Sequence, residues 1–311
     1  MNNNISFIRV YAVMGILLHH CICAFYGCFG KMSVGSALPM IFSDGTDIVR
    51  RVSLASFTFI SGYVLYYQAQ KKETFGNFIL KKIKRLLFPC FFYVLVYLLL
   101  FPQFINDEGP INGTHLWYLP MLFVCILLVS SHFYIRYAPL YIMSIYLAFK
   151  ILSGGSIMIR FLDATIIYMP VFYVGFMFNK FNLEQRLSSL KQVGAGLILI
   201  TLWLMLLVLN VPHTDIIQMC TIPVGLYLLV AGFNRNKILN RFNMIIARQA
   251  FAIYLLHQFV IIGMLGYVDM SNVNPYVTLV VYFCLALGVS VILSELYDKL
   301  IIGKISYRKG N

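Results

Sequence analysis

Apolar runs of about twenty residues recur along the chain, separated by short polar or basic breaks, and a helix of that length crosses a hydrocarbon layer about 30 Å thick. Taken in order, the runs predict ten candidate transmembrane helices, at about 6–26, 47–68, 85–102, 116–134, 138–152, 162–178, 193–211, 216–232, 248–268 and 276–297. The fifth and sixth are short or interrupted, which admits a half-helix or a re-entrant segment there. The first run, residues 10–25, has Arg9 at its edge, His19 and His20 inside it and no small-residue cleavage site after it, so it reads as a retained span rather than a secretory signal. The expected fold class is all-α, a polytopic membrane helical bundle of about ten transmembrane helices, with residues 1–311 forming a single membrane domain.

Composition agrees with the pattern. Sixty per cent of the 311 residues are apolar and 11% are charged, with a mean hydropathy of +0.82, whereas soluble domains carry about 25% charged residues. The net charge of +13 would raise the question of nucleic acid in a soluble protein. Here most basic residues sit in short loops beside apolar spans, so topology accounts for them and no nucleic-acid partner is expected. With the amino terminus cytoplasmic, the outer segments hold Lys31, Arg50, Arg51, Lys150 and Arg160, which leaves 19 of the 24 basic residues inside. That asymmetry predicts that both termini are cytoplasmic in a multi-pass protein of a bacterial inner or plasma membrane. The seven cysteines are odd in number and lack CxxC spacing, so they indicate neither a disulfide framework nor a metal site.

Ionisable side chains within spans are costly and tend to face the bundle interior. Arg9 and His20 are eleven residues apart, which on a helix places them about 20° apart in azimuth and roughly 16 Å apart along the axis, on one face. With Arg9 at the cytoplasmic boundary, His20 lies near the middle of the hydrocarbon layer, where a neutral imidazole can act as general base toward a hydroxyl. His19 is rotated by about 80° from Arg9 and is the poorer partner. In the basic run before Pro89, Lys82 and Arg85 are three apart on the same side of a helix entrance and can clamp a phosphate, although such a run also serves as ordinary cytoplasmic anchoring. Further candidates carry blander alternatives. Ser61-Gly62 permits close helix packing, and His115 with Trp117 suits an outer aromatic belt. Asp44 and Asp47 precede the second span, where they can orient a sugar or an imidazolium or simply face solvent. His257 is mid-span and equally suited to chemistry or to bundle hydrogen bonding.

Together these stretches resemble the membrane acyltransferase family 3. The resemblance rests on Arg9-x-x-Ala12 followed by His20, on Phe59-Ile60-Ser61-Gly62-Tyr63, on the basic run ending Arg85-Leu86-Leu87-Phe88-Pro89, on His115-Leu116-Trp117-Tyr118-Leu119 and on Tyr254-Leu255-Leu256-His257, in that order over most of the chain. It implies about ten helices, a cytoplasmic acyl-coenzyme A donor, acetyl-coenzyme A being the commoner one, and a saccharide acceptor often reached from the outer face. It also implies that His20 is the family's essential first-span histidine and that Lys82 and Arg85 match its paired arginines. Lys82 stands where the family usually has arginine, which keeps the charge but not the bidentate fork. Joined to the residue reading, this gives a mechanism in which Arg9, Lys82 and Arg85 hold the coenzyme's phosphates while the thioester reaches His20. That histidine either deprotonates an acceptor hydroxyl or takes the acyl group itself. A loop of about twenty residues from Gly27 to Thr46 is long enough to cover the acceptor side. The rival reading is a transporter or flippase of a lipid-linked saccharide, which should place ion-coupling acids within its spans, whereas Asp163, Glu295 and the other acids lie mainly in loops or at span ends. A noncatalytic membrane scaffold or sensor is the third reading. Partners expected are the saccharide acceptor and membrane lipids, with self-association into a homo-oligomer left open.

Overall fold

In a bilayer every backbone N–H and C=O must find its partner within the protein, and a helix is the local way to do so. The computed structural model describes residues 3–27, 29, 34, 38–70, 73–102, 114–134, 144, 160–212, 214–233, 241–268, 270 and 272–297. Among them the regular elements are helices: α1 (Asn3–Cys23), α2 (Ile41–Ala69), α3 (Phe75–Lys82), a π turn (Ile83–Leu87), α4 (Phe88–Leu100), a 3-10 turn (His115–Trp117), α5 (Tyr118–Tyr134), α6 (Arg160–Lys180), α7 (Leu183–Arg186), α8 (Ser189–Val208), α9 (Asp215–Phe233), α10 (Arg241–Tyr267) and α11 (Pro275–Tyr297). Among the described residues eight helices are long and apolar enough to cross a membrane, and the apolar stretch His115–Ser130 is shorter. The protein is therefore an all-α polytopic membrane bundle. The candidate span 138–152, apart from Ser144, lies outside the described residues. So do Cys28, Lys31, Lys71, Lys72, Arg136, Lys150, Arg235, Lys237, Lys299, Lys304, Arg308 and Lys309, and most of the loop expected from Gly27 onward.

Two elements depart from the apolar pattern. Helix α2 begins at Ile41 rather than near residue 47, so Asp44 and Asp47 lie within the helix and not in a loop ahead of it. An acid in the first turn meets the positive end of the helix dipole, and Asp47 pairs with Arg50 and Arg51 one turn on, at 2.5 and 2.7 Å. These polar side chains support helix where hydropathy predicts none. The third span likewise starts earlier, at Phe75, and runs through Pro89. Proline removes an N–H and its ring crowds the carbonyl four residues back, here that of Arg85. The helix widens to accommodate it: residues 83–87 form the π turn, closed by the Phe88 N–H on the Ile83 carbonyl.

The described residues fall into two compact units, Met1–Phe57 with Asn234–Asn311, and Thr58–Phe233, the boundary lying within α2. In the first unit α1 packs on α10 and α11, and α10 on α11. Ala12 of α1 and Ala247 and Ala250 of α10 are buried, and small side chains suit helices that associate in lipid by close packing. Helix α1 also meets α2 at Gly15, where a Cβ would lie 2.1 Å from Ser53 Oγ.

In the second unit α2 crosses α6 at a pair of glycines. A Cβ on Gly62 would stand 1.9 Å from the Phe172 carbonyl oxygen, and one on Gly175 would stand 2.0 Å from that of Phe59. The Ser61-Gly62 pair thus has its packing role at Gly62. Helix α4 turns Phe88, Phe91, Phe92, Leu95 and Leu99 outward while Cys90, Val94 and Tyr97 are buried, the division expected of a helix with one face in lipid.

Candidate active site

Helix α1 is continuous from Asn3 to Cys23, so Arg9 and His20 lie eleven residues apart on one helix. His20 is partly exposed, while its neighbour His19 is buried. The difference follows from their surroundings. His19 Nδ1 lies 3.1 Å from the Thr46 hydroxyl of α2, and its Nε2 lies 3.5 Å from Cys23 Sγ one turn further along α1. An imidazole so held serves to tie α1 to α2, a hydrogen bond contributing about 1 kcal/mol. Asp47 and Arg50 lie within electrostatic reach of His19.

The packing of α10 on α1 brings a third imidazole to the same place. His257, 1% exposed, has its ring centroid 5.0 Å from that of His20, and His19 is also 5.0 Å from His20. Phe29 closes a further side at 6.1 Å. The one accessible imidazole is thus flanked by two buried ones, all within the first unit. His257 Nδ1 is 3.0 Å from the Ile253 carbonyl. Because a carbonyl oxygen only accepts, Nδ1 carries the proton, and in the neutral ring the lone pair is on Nε2. The arrangement can take up one proton at His20 in a setting of low polarity. Neither Thr46 nor Phe29 carried any sequence signal, since each becomes relevant only through folding.

Of the expected acids, Asp44 is exposed and Asp47 is committed to Arg50 and Arg51. Among the described residues no group of three His, Cys, Asp or Glu side chains is placed to hold a metal ion.

The donor-binding candidates Lys82 and Arg85 belong to the second unit, and Arg9 to the first. Lys82 is half-buried, with Nζ 5.0 Å above the Phe78 ring and bonded to the Gln68 side-chain oxygen. Arg85 is exposed on the π turn, within electrostatic reach of Lys82. A π turn advances less per residue than an α-helix, so the two cations diverge more in azimuth than α-helical spacing predicts, while both remain at the same helix entrance. The lysine stem, packed on an aromatic ring, leaves the ammonium as the adjustable member beside an unobstructed guanidinium.

The outer-belt expectation for His115 and Trp117 is corrected by the structure: His115, Leu116, Trp117 and Tyr118 are all buried. The Thr114 hydroxyl caps the 3-10 turn by accepting from the Leu116 N–H, which turns these residues inward. His115 Nδ1 lies 3.4 Å from the Tyr97 hydroxyl, and the Trp117 ring packs on Tyr118 and Tyr168. The same unit holds a polar cluster that sequence reasoning missed. Tyr227 donates to Glu184 Oε2 at 2.5 Å and Tyr63 does so at 3.3 Å, while Asn179 donates to the Tyr63 carbonyl at 2.8 Å. Its members lie 43 or more residues from one another along most pairings, so no local pattern announces it.

Over residues 2–295 the chain matches a family model described as an acyltransferase domain. No curated protein and no solved structure matches it.

Proposed function

This chain belongs to the membrane acyltransferase family 3, and from that premise we propose that it is an O-acyltransferase, in the first instance an O-acetyltransferase, of cell-surface or lipid-linked saccharides. The family makes it a multi-pass membrane enzyme that transfers acyl groups. The proposal adds the donor, cytoplasmic acetyl-coenzyme A, the acceptor, a saccharide hydroxyl, and the location, a bacterial inner or plasma membrane. The observation that carries it is the partly exposed His20 imidazole on the same helix face as Arg9, with buried imidazoles on either side.

The donor-binding candidates are Arg9, on the face of α1 that carries His20, and Lys82 with Arg85 at the entrance of the third span, each a cation that can hold a phosphate of the coenzyme by charge-assisted hydrogen bonds. His20 takes the proton of the acceptor hydroxyl as its oxygen attacks the thioester carbonyl. The carbon–sulfur bond then breaks, and the departing thiolate recovers the proton from His20. General-base action of this kind contributes about 10²–10⁴-fold to rate. A covalent acyl-histidine route would instead show a burst of labelled protein before product.

The test is acyl transfer from radiolabelled acetyl-coenzyme A by the purified full-length protein in lipid, with surface glycans as acceptors, comparing wild type with His20→Ala. Turnover by wild type, and its loss in a folded His20→Ala variant, is the expected result. Wild-type protein that neither binds nor turns over acetyl-coenzyme A would move the reading to a transporter of a lipid-linked saccharide.

A further inference from the structure

His20 must carry a positive charge for the moment between taking the hydroxyl proton and returning it. In a span such a charge is costly unless a neighbour accepts a hydrogen bond from the ring's other N–H. Two imidazoles touch His20, and they are not equivalent. His19 is engaged with Thr46 and Cys23, and Arg50 and Asp47 act on its side with opposite signs. His257 has its Nδ1–H committed to the Ile253 carbonyl, so its basic nitrogen is Nε2. Among the groups acting on the His257 ring are the backbone of Ile253 and of Tyr254, whose carbonyl oxygens favour positive charge nearby, the Tyr254 ring at 6.0 Å and His19. The ring separation of 5.0 Å from His20 is a contact distance for two aromatic rings.

From this geometry, and resting on the reading of His20 as general base, we infer that His257 is a positioning residue: its Nε2 lone pair receives the N–H on the His20 nitrogen turned away from the acceptor, which leaves the other His20 nitrogen to take the hydroxyl proton. The proton balance closes. The acceptor O–H breaks as the His20 N–H forms, the oxygen joins the acyl carbon, the thiolate leaves, and the His20 proton passes to it. His257 keeps its own Nδ1 proton throughout and is never charged. The hydrogen bond between the rings is strongest when His20 is protonated, so it lowers the barrier more than it strengthens donor binding. The two histidines, 237 residues apart in sequence, then act as one unit.

The experiment measures coenzyme A release from acetyl-coenzyme A by the full-length protein in lipid, with surface glycan as acceptor, for wild type, His20→Ala, His257→Phe and His257→Gln. Phenylalanine keeps the ring without a lone pair, and glutamine offers a carbonyl oxygen in its place. His257→Phe is expected to lower kcat by about 10–100-fold with KM for acetyl-coenzyme A unchanged, and His257→Gln to stay within about threefold of wild type. Should His257→Phe not fold, His257→Met against His257→Gln makes the same comparison. Wild-type turnover by His257→Phe beside an inactive His20→Ala overturns the inference and leaves the reading of His20 standing. Equal losses in the Phe and Gln variants, tracking their melting temperatures, reduce His257 to a packing role and also overturn it. Full turnover by His20→Ala removes the general base itself, and the inference with it.

Discussion

The α2–α6 crossing gives a stability prediction whose magnitude follows from distance alone. At Gly62 and Gly175 the hydrogen that stands in place of Cβ points at a carbonyl of the facing helix, giving reciprocal Cα–H to oxygen contacts. A methyl at Gly62 would sit 1.9 Å from the Phe172 oxygen and 2.9 Å from its carbon. Both are backbone atoms, so no rotamer change relieves the clash, and the helices must separate by about 1.3 Å to restore ordinary contact. A gap of that size forfeits roughly half of the dispersion attraction along the crossing. The cost of such overpacking, about 2–4 kcal/mol, exceeds the gain of about 1 kcal/mol from replacing glycine by alanine in a helix. Gly62→Ala should therefore destabilise the protein by about 1–3 kcal/mol in reversible denaturation from mixed micelles. Gly175→Ala acts on the same crossing, so the double variant should cost less than the sum of the two. Gly263→Ala on α10 is the control: its Cβ meets nothing within 4 Å, and it should match or exceed wild type. A Gly62→Ala protein as stable as Gly263→Ala would refute the reasoning.

Three further outcomes follow. Lys82→Ala, which removes one charge from the proposed phosphate site, should raise KM for acetyl-coenzyme A by about 10-fold or more with a smaller effect on kcat, and Lys82→Arg should restore it; an unchanged KM would return the basic run to simple membrane anchoring. Thr46→Val leaves His19 without its hydroxyl partner and should lower stability by about 1 kcal/mol while turnover stays within a fewfold of wild type, in contrast to His20→Ala. Tyr227→Phe removes a donor to Glu184 and should destabilise by about 1–2 kcal/mol, read in the same denaturation assay; no change would mean that the α7 carboxylate is held by its other contacts.

Hydropathy alone marked most of the helices that are long and apolar enough to cross a bilayer, because lipid leaves the backbone only the helix and the length of an apolar run then reports a candidate span directly. The arginine and histidine of α1 were likewise legible, since two positions on one helix have a fixed relation of azimuth and rise. The ordered motifs that carry the family resemblance belong to the same linear information. Tertiary structure decided the rest. It turned His115 and Trp117 inward, held Asp47 between two arginines, widened the helix ahead of Pro89 and set His257 against His20. The reason lies in the solvent. In water a helix shows its buried face by the contrast between apolar and polar positions, but in lipid the outward face is as apolar as the inward one. Leu99 of α4, turned outward, and Val94, turned inward, are chemically alike. Which helices meet, and therefore which distant side chains share a site, is settled by small residues and close backbone contacts that hydropathy does not register.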